Sequence, residues 1–328
     1  MVRGALAALV VLWCARPAAA DRNDLVMARL ATRITDDTDR VLSVVPQNLE
    51  FRALASQLGV VLAPHLLTPA DTLGFGGFQF DVEASQTSID SMQPYWRVLA
   101  GTRDQAGTNH IAHGASVLRT VGVFARKGLW LPVPSFELGV GAVHLVDSTT
   151  WAAQVYGKLA VHEGYHDLPI PSIAVRGGVS RMMNQRELDL TVASLDLTVS
   201  KHFGIAGTWR FDPFAGGDLL LIIPRSQVID GTPEIDSLHA GDDMDATNNF
   251  VFRDQSTITR RRFLIGAKLQ YAIVQVTLEA QYALAGSSED SRAGSAAACL
   301  PGSMTTSCKA KDTAAAQTTV SVSAGFDF

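Results

Sequence analysis

The sequence predicts an all-β protein, an antiparallel transmembrane β-barrel of about ten strands (a range of roughly 8–14) that follows an N-terminal helical segment. Three observations predict this fold. The chain begins with a short apolar leader, its later part alternates apolar and polar residues with a period of two, and charged residues lie on the face opposite the apolar one.

The first twenty residues have the pattern of a secretory signal peptide. Arg3 is the positive residue, Ala5–Trp13 is a short apolar run, and Ala18–Ala20 is a small-residue cleavage site. Lipidation at Cys14 is an alternative, which the bulky preceding tryptophan disfavours. We expect cleavage after Ala20 and therefore an exported protein.

Composition sets further limits on partners and organisation. The chain carries 27 basic and 32 acidic residues, and Arg3 and Arg16 lie in the predicted leader, so the remaining chain is acidic and lacks the charge of a nucleic-acid-binding protein. No later segment is apolar for the roughly 20 residues that a membrane-spanning helix needs. We expect a signal peptide at 1–20, an N-terminal periplasmic or plug segment at 21–72 and the barrel at 73–328.

The strands are predicted from period-two alternation. In the last stretch Thr318, Val320 and Val322 lie on one face, whereas Thr319 and Ser321 lie on the other. The predicted strands are 74–86, 117–127, 135–146, 150–162, 172–183, 188–201, 203–214, 263–271, 274–284 and 318–328. In the strand 188–201 the alternation changes phase near Ser194, which predicts a β-bulge.

Strand length and inner-face charges favour a membrane barrel over a soluble sandwich. The segments are about ten residues long, as a tilted membrane-spanning strand requires, whereas strands of globular proteins are typically about 5–6 residues. A membrane barrel turns its apolar face to lipid and its polar face to the lumen. The residues predicted to line the lumen, as pairing charges or as a ligand-binding surface, are Asp81, Glu83, Lys158, Arg176, Arg210, Asp212, Lys268 and Glu279.

The connections alternate in length. The long ones (89–115, 224–256 and 286–317) fall at one end of the predicted barrel together with two short ones, and the remaining short turns fall at the end that contains Phe328. Bacterial barrels have this asymmetry, with long outer loops and short periplasmic turns. Tyr95, Trp96, Trp130 and Trp209 are predicted to belong to the aromatic girdles at the membrane surfaces.

The segment before the first strand has a different pattern. Asn48 is a suitable helix cap, and Phe51, Leu54 and Leu58 lie on one helical stripe that also contains Ala55. The stripe predicts an amphipathic helix that plugs the barrel from the periplasmic side. A helix on the periplasmic rim, or a poorly ordered tail, is the alternative.

These features resemble those of the Gram-negative outer-membrane β-barrel superfamily. The resemblance rests on the leader, the alternating strands and the last strand TTVSVSAGFDF, in which Phe326 and Phe328 stand at the end of the chain. It implies insertion by the barrel-assembly machinery and a location in the outer membrane, in contact with lipid and lipopolysaccharide. The N-terminal helix ahead of a barrel is also similar to that of the long-chain fatty-acid channel group, whose other motifs are absent.

Several histidines and acidic residues are metal-site candidates. His162, Glu163 and His166 form an H-E-x-x-H pattern, but the preceding residues alternate as a strand, in which residues four apart are roughly 13 Å from each other. His110 and His113 lack further ligands, and the acidic loop 224–256 lacks EF-hand spacing. We therefore predict no metal and no cofactor.

Cys299 and Cys308 are the two cysteines outside the leader. Their proximity in a small-residue segment of an exported chain predicts a local disulfide.

The predicted function is that of a narrow or plugged channel or transporter for small solutes, hydrophobic ones included, without enzymatic activity. The barrel is too small for an open porin, because eight-stranded barrels are already filled by side chains. The alternatives are a structural or adhesive surface barrel with a closed lumen and, less favoured, an outer-membrane hydrolase in which His144 at the outer rim would need an acid or serine partner.

Overall fold

The structure is a computed structural model that describes residues 21–37, 41–65, 67–104, 111–112, 116–130, 135–164, 170–232, 248–291 and 310–328. Ten antiparallel strands form a closed barrel in it. They are β3 (Phe78–Ser88), β6 (Val117–Leu129), β7 (Phe136–Leu145), β8 (Trp151–His162), β9 (Ser172–Met183), β10 (Leu188–Ser200), β12 (Trp209–Ser226), β15 (Ile258–Tyr271), β16 (Val274–Ala283) and β17 (Gln317–Asp327).

The barrel closes where its last strand pairs with its first, β17 with β3. Among the described strands, the other pairings of the wall join strands that follow one another, and β10 pairs directly with β12 after the small strand β11 (Phe203–Ile205). The register is staggered by about 12 residues around the closed sheet, which tilts the strands and sets the width of a ten-stranded barrel. The predicted fold class is confirmed.

Shorter elements do not belong to the barrel wall. They are the hairpin β1 (Ala31–Thr35) and β2 (Val41–Pro46), the helix α1 (Asn48–Leu62), the two-residue strands β4 (Arg103–Asp104), β5 (Ile111–Ala112), β13 (Ile229–Asp230) and β14 (Asn249–Phe250), and two 3-10 helices at Met27–Leu30 and Pro94–Val98. Within the described residues no helix is long and apolar enough to cross a membrane.

The alternation seen in the sequence becomes an outer apolar face and an inner polar face. Along β16 every second residue from Val274 to Tyr282 is exposed on the outside, whereas Gln275, Thr277 and Glu279 are buried inside. This arrangement is inverted relative to a soluble protein and is the one found in membrane barrels. The chain therefore has the fold of the outer-membrane β-barrel class.

The predicted bulge near Ser194 is absent. β10 keeps its register with both β9 and β12 past this residue, and its inward residues continue without a shift of phase. The apparent change of phase arises because Leu188, Leu190 and Val192 point into the lumen. Their inner face is apolar because a helix, and not water, covers it.

The long and short connections fall as predicted, with the short turns at the end that contains Phe328. We call this the Phe328 end and the opposite end the loop end. At the Phe328 end, Trp209 packs on Tyr271 with ring centroids 4.8 Å apart, and both are about half exposed on the outer face, as girdle residues are. Tyr95 and Trp96 differ from the prediction, since they are 2% and 0% exposed and pack against α1 inside the loop end.

Candidate functional site

The N-terminal segment runs lengthwise through the barrel. Asn48 lies at the loop end, where its backbone carbonyl accepts a hydrogen bond from Gln255. The carbonyl of Leu62, at the end of α1, accepts from the side chains of Gln154 and Ser180. Farther down, the backbone N–H of Ala70 donates to Ser200 near the Phe328 end. We call residues 48–73 the lumen segment.

The helix fills the loop half of the lumen with apolar side chains. Phe51, Leu54 and Leu58, the three predicted plug residues, are at most 1% exposed. Phe51 stacks on Phe252 with ring centroids 4.4 Å apart. The inward apolar residues of the wall that complete this core are Leu118, Leu145, Ala152, Met182, Leu188, Leu190, Val192, Leu220, Ile222, Ile258 and Ala283. The helix thus lies next to the long loops and not at the Phe328 end, from which the sequence analysis expects it to enter.

The polar side chains of α1 also have hydrogen-bond partners inside the barrel. Ser56 donates to Asp312 at 2.6 Å and accepts from Arg260 at 2.8 Å. The Trp96 indole donates to Gln57 at 2.8 Å, and Arg52 donates to Gln255 and Ser288. These bonds fix the rotation of the helix, because each unpaired buried polar group would cost free energy.

The Phe328 half of the lumen is charged. Arg126 donates to Asp81 at 2.6 Å and to Glu83 at 3.1 Å, and Asp81 also accepts from Gln275 at 2.6 Å. All three charged side chains are at most 3% exposed. Two of the predicted lumen residues therefore share one arginine of the neighbouring strand β6 as their ion-pair partner.

Lys158 joins the wall to the lumen segment. Its Nζ lies 3.0 Å from Glu137 and donates to the backbone carbonyls of Pro69 and Asp71 at 3.3 and 2.8 Å. Glu137 also accepts a 2.8 Å hydrogen bond from Tyr156. The ammonium group is saturated by these partners, so it holds the segment and has no donor left for a ligand.

Arg176 and Glu279 bind the middle of the lumen segment. Arg176 donates to Asp196 at 2.6 Å and to the carbonyl of His65 at 2.9 Å, and Glu279 accepts from the backbone N–H of Leu67 at 3.0 Å. Both side chains are buried. These two predicted lumen residues therefore contact protein backbone where a solute would have to pass.

Arg210, Asp212 and Lys268 lie closest to the Phe328 end. Arg210 donates to Asp212 at 2.8 Å and remains 35% exposed, and Lys268 lies 3.2 Å from Asp327. His202 lies 2.7 Å from the other oxygen of Asp212. The group closes the mouth of the barrel with ion pairs that water still reaches.

Sequence reasoning missed several inward charges of equal importance, namely Arg126, Glu137, Asp196, Asp218, Arg260 and Arg262. Arg262 donates to Asp218 and, at 2.9 Å each, to Gln281 and the carbonyl of Pro64. The signal was present: Arg260 and Arg262 have the same parity as Lys268 on β15, but the predicted strand began three residues after Arg260.

The lumen contents contradict the predicted channel or transporter. Helix α1 occupies one half of the lumen, and the rest of the lumen segment, hydrogen-bonded to Lys158, Arg176 and Glu279, occupies the other. No cavity that we find among the described residues runs through the barrel; those that we find lie on its outer surface or at its rim. Within the described residues, the lumen segment therefore lies where a solute would have to pass.

Residues 21–37 and 41–47 lie over the loop end, and we call them the outer cap. The backbone N–H of Asn23 donates to Asp147, that of Met27 donates to Glu187, and Asp24 accepts from Thr149. Burial raises the pKa of the Glu187 carboxyl, which also faces Asp230, although the Met27 N–H acts in the opposite direction. The hairpin β1–β2 stands above this base with Ile34 47% exposed and Leu42 59% exposed.

The described part of the H-E-x-x-H pattern, residues 162–164, does not lie on a helix. His162 ends strand β8, and Glu163 accepts hydrogen bonds from Thr72 and from Ser135, so it holds the end of the lumen segment. His166 lies outside the described residues, as do His110, His113, Cys299, Cys308, the leader and most of the acidic part of loop 224–256. Among the described residues no group of three or more His, Cys, Asp or Glu could hold a metal ion.

His144 lies on the outer face near the loop end. Its Nδ1 is 3.1 Å from the Thr150 carbonyl oxygen, and its ring stacks on Trp151 with centroids 4.4 Å apart. With Nδ1 donating to that carbonyl, Nε2 is left as the acceptor nitrogen. No acid or serine contacts the ring within the described part of the chain.

Phe326 and Phe328 end the barrel on its outer face, 47% and 65% exposed, with ring centroids 6.3 Å apart. Backbone hydrogen bonds join Phe328 to Phe78, the first residue of the first barrel strand. A role for these aromatic residues in recognition by the assembly machinery stays a prediction.

Comparison with known proteins gives limited results. No protein family matches the sequence, and no curated protein matches it. Among solved structures the chain is similar to LpxR from Salmonella typhimurium, with 9% sequence identity and a TM-score of 0.31, over 74% of this chain and 99% of that one. The likeness to the long-chain fatty-acid channel group stays a prediction from the sequence.

The prediction that the chain is not an enzyme is not kept, because a barrel fold does not determine whether a protein catalyses a reaction and is no ground for excluding catalysis. At this level of similarity no residue role is transferred from LpxR.

Proposed function

We propose that the chain is an outer-membrane barrel with a closed lumen that acts at the cell surface as a structural or adhesive protein. The observation that carries the proposal is the lumen segment, which fills the barrel from one mouth to the other. With the interior used to hold this segment, the surface left for interaction is the outer cap and the long loops around it.

The hairpin of the outer cap is the part best suited to contact another surface. Ile34 and Leu42 expose apolar side chains to water, and β1 has four exposed residues in succession. Exposed apolar groups raised above a polar rim are typical of interaction sites. Hydrogen bonds from residues 23–27 to the loops after β7 and β9 hold the base of the hairpin in place.

The experiment compares cells that display the whole protein or the double variant Ile34→Ser/Leu42→Ser, at equal barrel levels. We expect the variant to lose most adhesion to other cells or to apolar surfaces. The matched control is Phe75→Ser, which removes an exposed apolar residue (82% exposed) near the Phe328 end, away from the cap and the long loops. Equal adhesion of the double variant and the unaltered protein would overturn the proposal.

An adhesive role also requires that the cap lie on the outer side of the membrane. An epitope inserted after Asp37, in the hairpin turn, is expected to bind antibody on intact cells. Binding only after the outer membrane is permeabilised would place the cap in the periplasm and contradict an adhesive role.

A second candidate function, hydrolysis of an outer-leaflet lipid, is favoured by one observation at His144. The bond from Nδ1 to the Thr150 carbonyl orients the ring, so Nε2 can accept a proton from water or a hydroxyl at the surface of the barrel. We expect His144→Asn to abolish release of fatty acid from lipid in mixed micelles, if the barrel has this activity. The control is His202→Asn at the Phe328 end, and equal rates in both variants would exclude this candidate.

A further inference from the structure

The outer face of the barrel has a groove along strand β12. Its floor consists of Ala215 and Gly217, the smallest outward residues of that strand. Gly217 pairs with Leu197 of β10 on one side and with Phe263 of β15 on the other. The larger side chains of these two neighbours form the walls of the groove. We call this depression the β12 groove.

The groove is large and apolar. The cavity at Gly217 has a volume of about 490 Å³ and is lined by Leu195, Leu197, Leu219 and Phe263. A second cavity of about 340 Å³ continues it past Ala215 toward the Phe328 end. Volumes of this size are typical of ligand sites, and the band of wall around them faces lipid.

A positive charge stands at the loop end of the groove. Arg261 lines the same cavity and follows Phe263 as the next outward residue of β15 toward the loops. Its partner across the strands is Leu219, and no acceptor for its guanidinium lies among the described residues. An arginine at the edge of an apolar band is costly unless it meets water or an anion, and its fork of donors fits a phosphate.

We propose that the β12 groove binds one membrane lipid, with an acyl chain on Gly217 and Ala215 and the headgroup phosphate on Arg261. The proposal rests on the membrane location of the barrel but not on adhesion by the cap. Because Arg261 lies at the loop end, the lipid belongs to the leaflet on that side. Phospholipid and lipid A share the required chemistry, a phosphate next to acyl chains.

Gly217 allows a direct test, because a side chain fits there. A Cβ at Gly217 would meet the Arg262 carbonyl at 3.4 Å and the Phe263 ring at 3.7 Å, which are ordinary contacts. Gly217→Leu should therefore fold and fill the groove. Arg261→Gln removes the charge and keeps the groove.

Binding is measured by native mass spectrometry of the whole barrel in detergent, with dioleoyl phosphatidylglycerol, lipid A or dioleoylglycerol added. We expect one phosphate-bearing lipid per barrel, and about tenfold or greater loss of affinity in each variant. The matched controls are Ala84→Leu, an outward small residue on β3, and Arg119→Gln, an outward arginine on β6, and both should bind as the unaltered protein does.

The outcomes separate the possible occupants. Binding of lipid A but not phosphatidylglycerol, or the reverse, identifies the source of the phosphate and supports the site. Equal binding of dioleoylglycerol, with no effect of Arg261→Gln, would show a general apolar contact and overturn the proposal. A dimer of the barrel that Gly217→Leu abolishes would show that a second copy fills the groove, and would overturn it as well. The two claims fail separately. A barrel that binds the lipid but does not adhere to cells would contradict only the proposed function, and a barrel that adheres but does not bind the lipid would contradict only this inference.

Discussion

Arg262 shows how a charge is held inside the lumen. It is 1% exposed, and its donors are used by Asp218, by Gln281 and by the backbone carbonyl of Pro64 in the lumen segment. A buried ion pair of this kind adds little net stability compared with an apolar pair, but the loss of one partner leaves the other charge uncompensated.

We therefore expect Arg262→Met to destabilise the folded barrel by about 3–5 kcal/mol, since it leaves Asp218 buried without a cation. The free energy of unfolding is measured by urea titration of the barrel in lipid vesicles. Arg181→Met is the control, because Arg181 is 57% exposed in its pair with Asp189, and it should cost less than about 1 kcal/mol. If both variants lose the same stability, Arg262 does not hold the lumen as described.

Glu187 predicts a dependence of the cap on pH. Burial raises the pKa of this carboxyl in the folded protein above its value in the unfolded chain. Its protonated form is thus favoured by folding, and the associated stability is present below the unfolded pKa and is lost as the pH rises through the folded pKa.

We expect proteolysis of the outer cap to increase as the pH is raised from about 4 to 7, and this increase to be smaller in Glu187→Gln, which stays neutral. Rates of tryptic cleavage at Arg29, each divided by the rate at which trypsin cleaves an unfolded peptide at the same pH and read by mass spectrometry, report the opening of the cap. Asp189→Asn, on the same side of the barrel, is the control. An increase of equal size in Glu187→Gln would show that another group titrates.

The residues that sequence reasoning found and missed differ in their position along a strand. Lys268 and Glu279 lie within long alternating runs, so their inward direction could be predicted. Arg260 and Arg262 lie in a run of three arginines at a strand end, where polarity no longer distinguishes the two faces of the strand. Their inward direction could be inferred only by extending the alternation of β15 back to them. Their partners in the lumen segment, such as Pro64, have no sequence signal, because the contacts are to backbone carbonyls.

At the scale of elements, helix α1 is fitted to the wall at Gly59. A Cβ at this position would lie 2.6 Å from the Ile222 Cδ1 atom of β12, closer than real contacts allow. Glycine in a helix interior costs roughly 0.5–1 kcal/mol relative to alanine, so its presence here is explained by close packing and not by propensity.

We expect Gly59→Ala to destabilise the barrel by about 1–3 kcal/mol, because overpacking outweighs the gain in helix propensity. Adding Ile222→Ala, which removes the contacting atoms, should restore part of the loss, although Ile222→Ala alone is destabilising. Urea midpoints of the four proteins form a double-mutant cycle. A Gly59→Ala variant more stable than the unaltered protein would mean that the helix packs less closely than described.

The elements could be predicted to different extents. The strands of the second half follow from alternation, because one face meets lipid and the other meets charge. On β10 the alternation fails between Leu188 and Val192, since the helix makes the inner face apolar as well. The existence of α1 could be inferred from its stripe, but its place at the loop end depends on contacts with residues such as Phe252 and Trp96, far away in sequence.

At the scale of the whole molecule, the lumen segment is the core of the barrel. Four buried side chains of the wall form hydrogen bonds with its backbone, namely Lys158, Arg176, Arg262 and Glu279. Without the segment these groups would lack buried partners, and the apolar residues around α1 would line an empty cavity.

We therefore expect a chain that lacks residues 21–47 to fold as a barrel, and one that lacks residues 21–73 to fail. Folding into vesicles is followed by the shift in gel mobility between folded and unfolded protein. Efficient folding of the shorter chain would show that the wall is stable without the lumen segment. Failure of both would show that the outer cap is also needed.

The fold class of the whole molecule could be predicted from the alternating strands of the wall. The channel function inferred from the same strands was wrong. The inward charges suggested a solute path, yet Arg126 pairs with Asp81 and Glu83, and Lys158 with Glu137. A sequence shows that such charges face inward but not that they face one another. The choice between a conducting and a filled lumen therefore required the structure.

The position of the lumen segment also has a consequence for kinetics. The segment precedes β3 in the chain and lies inside the ring that the pairing of β17 with β3 completes. If the pairing of β17 with β3 forms last, the segment is already enclosed when the barrel closes. Afterwards it can leave only by sliding lengthwise or by separation of these two strands. Both routes break many hydrogen bonds at once, so the escape rate, more than the equilibrium affinity of the segment for the wall, would determine how long the barrel stays filled.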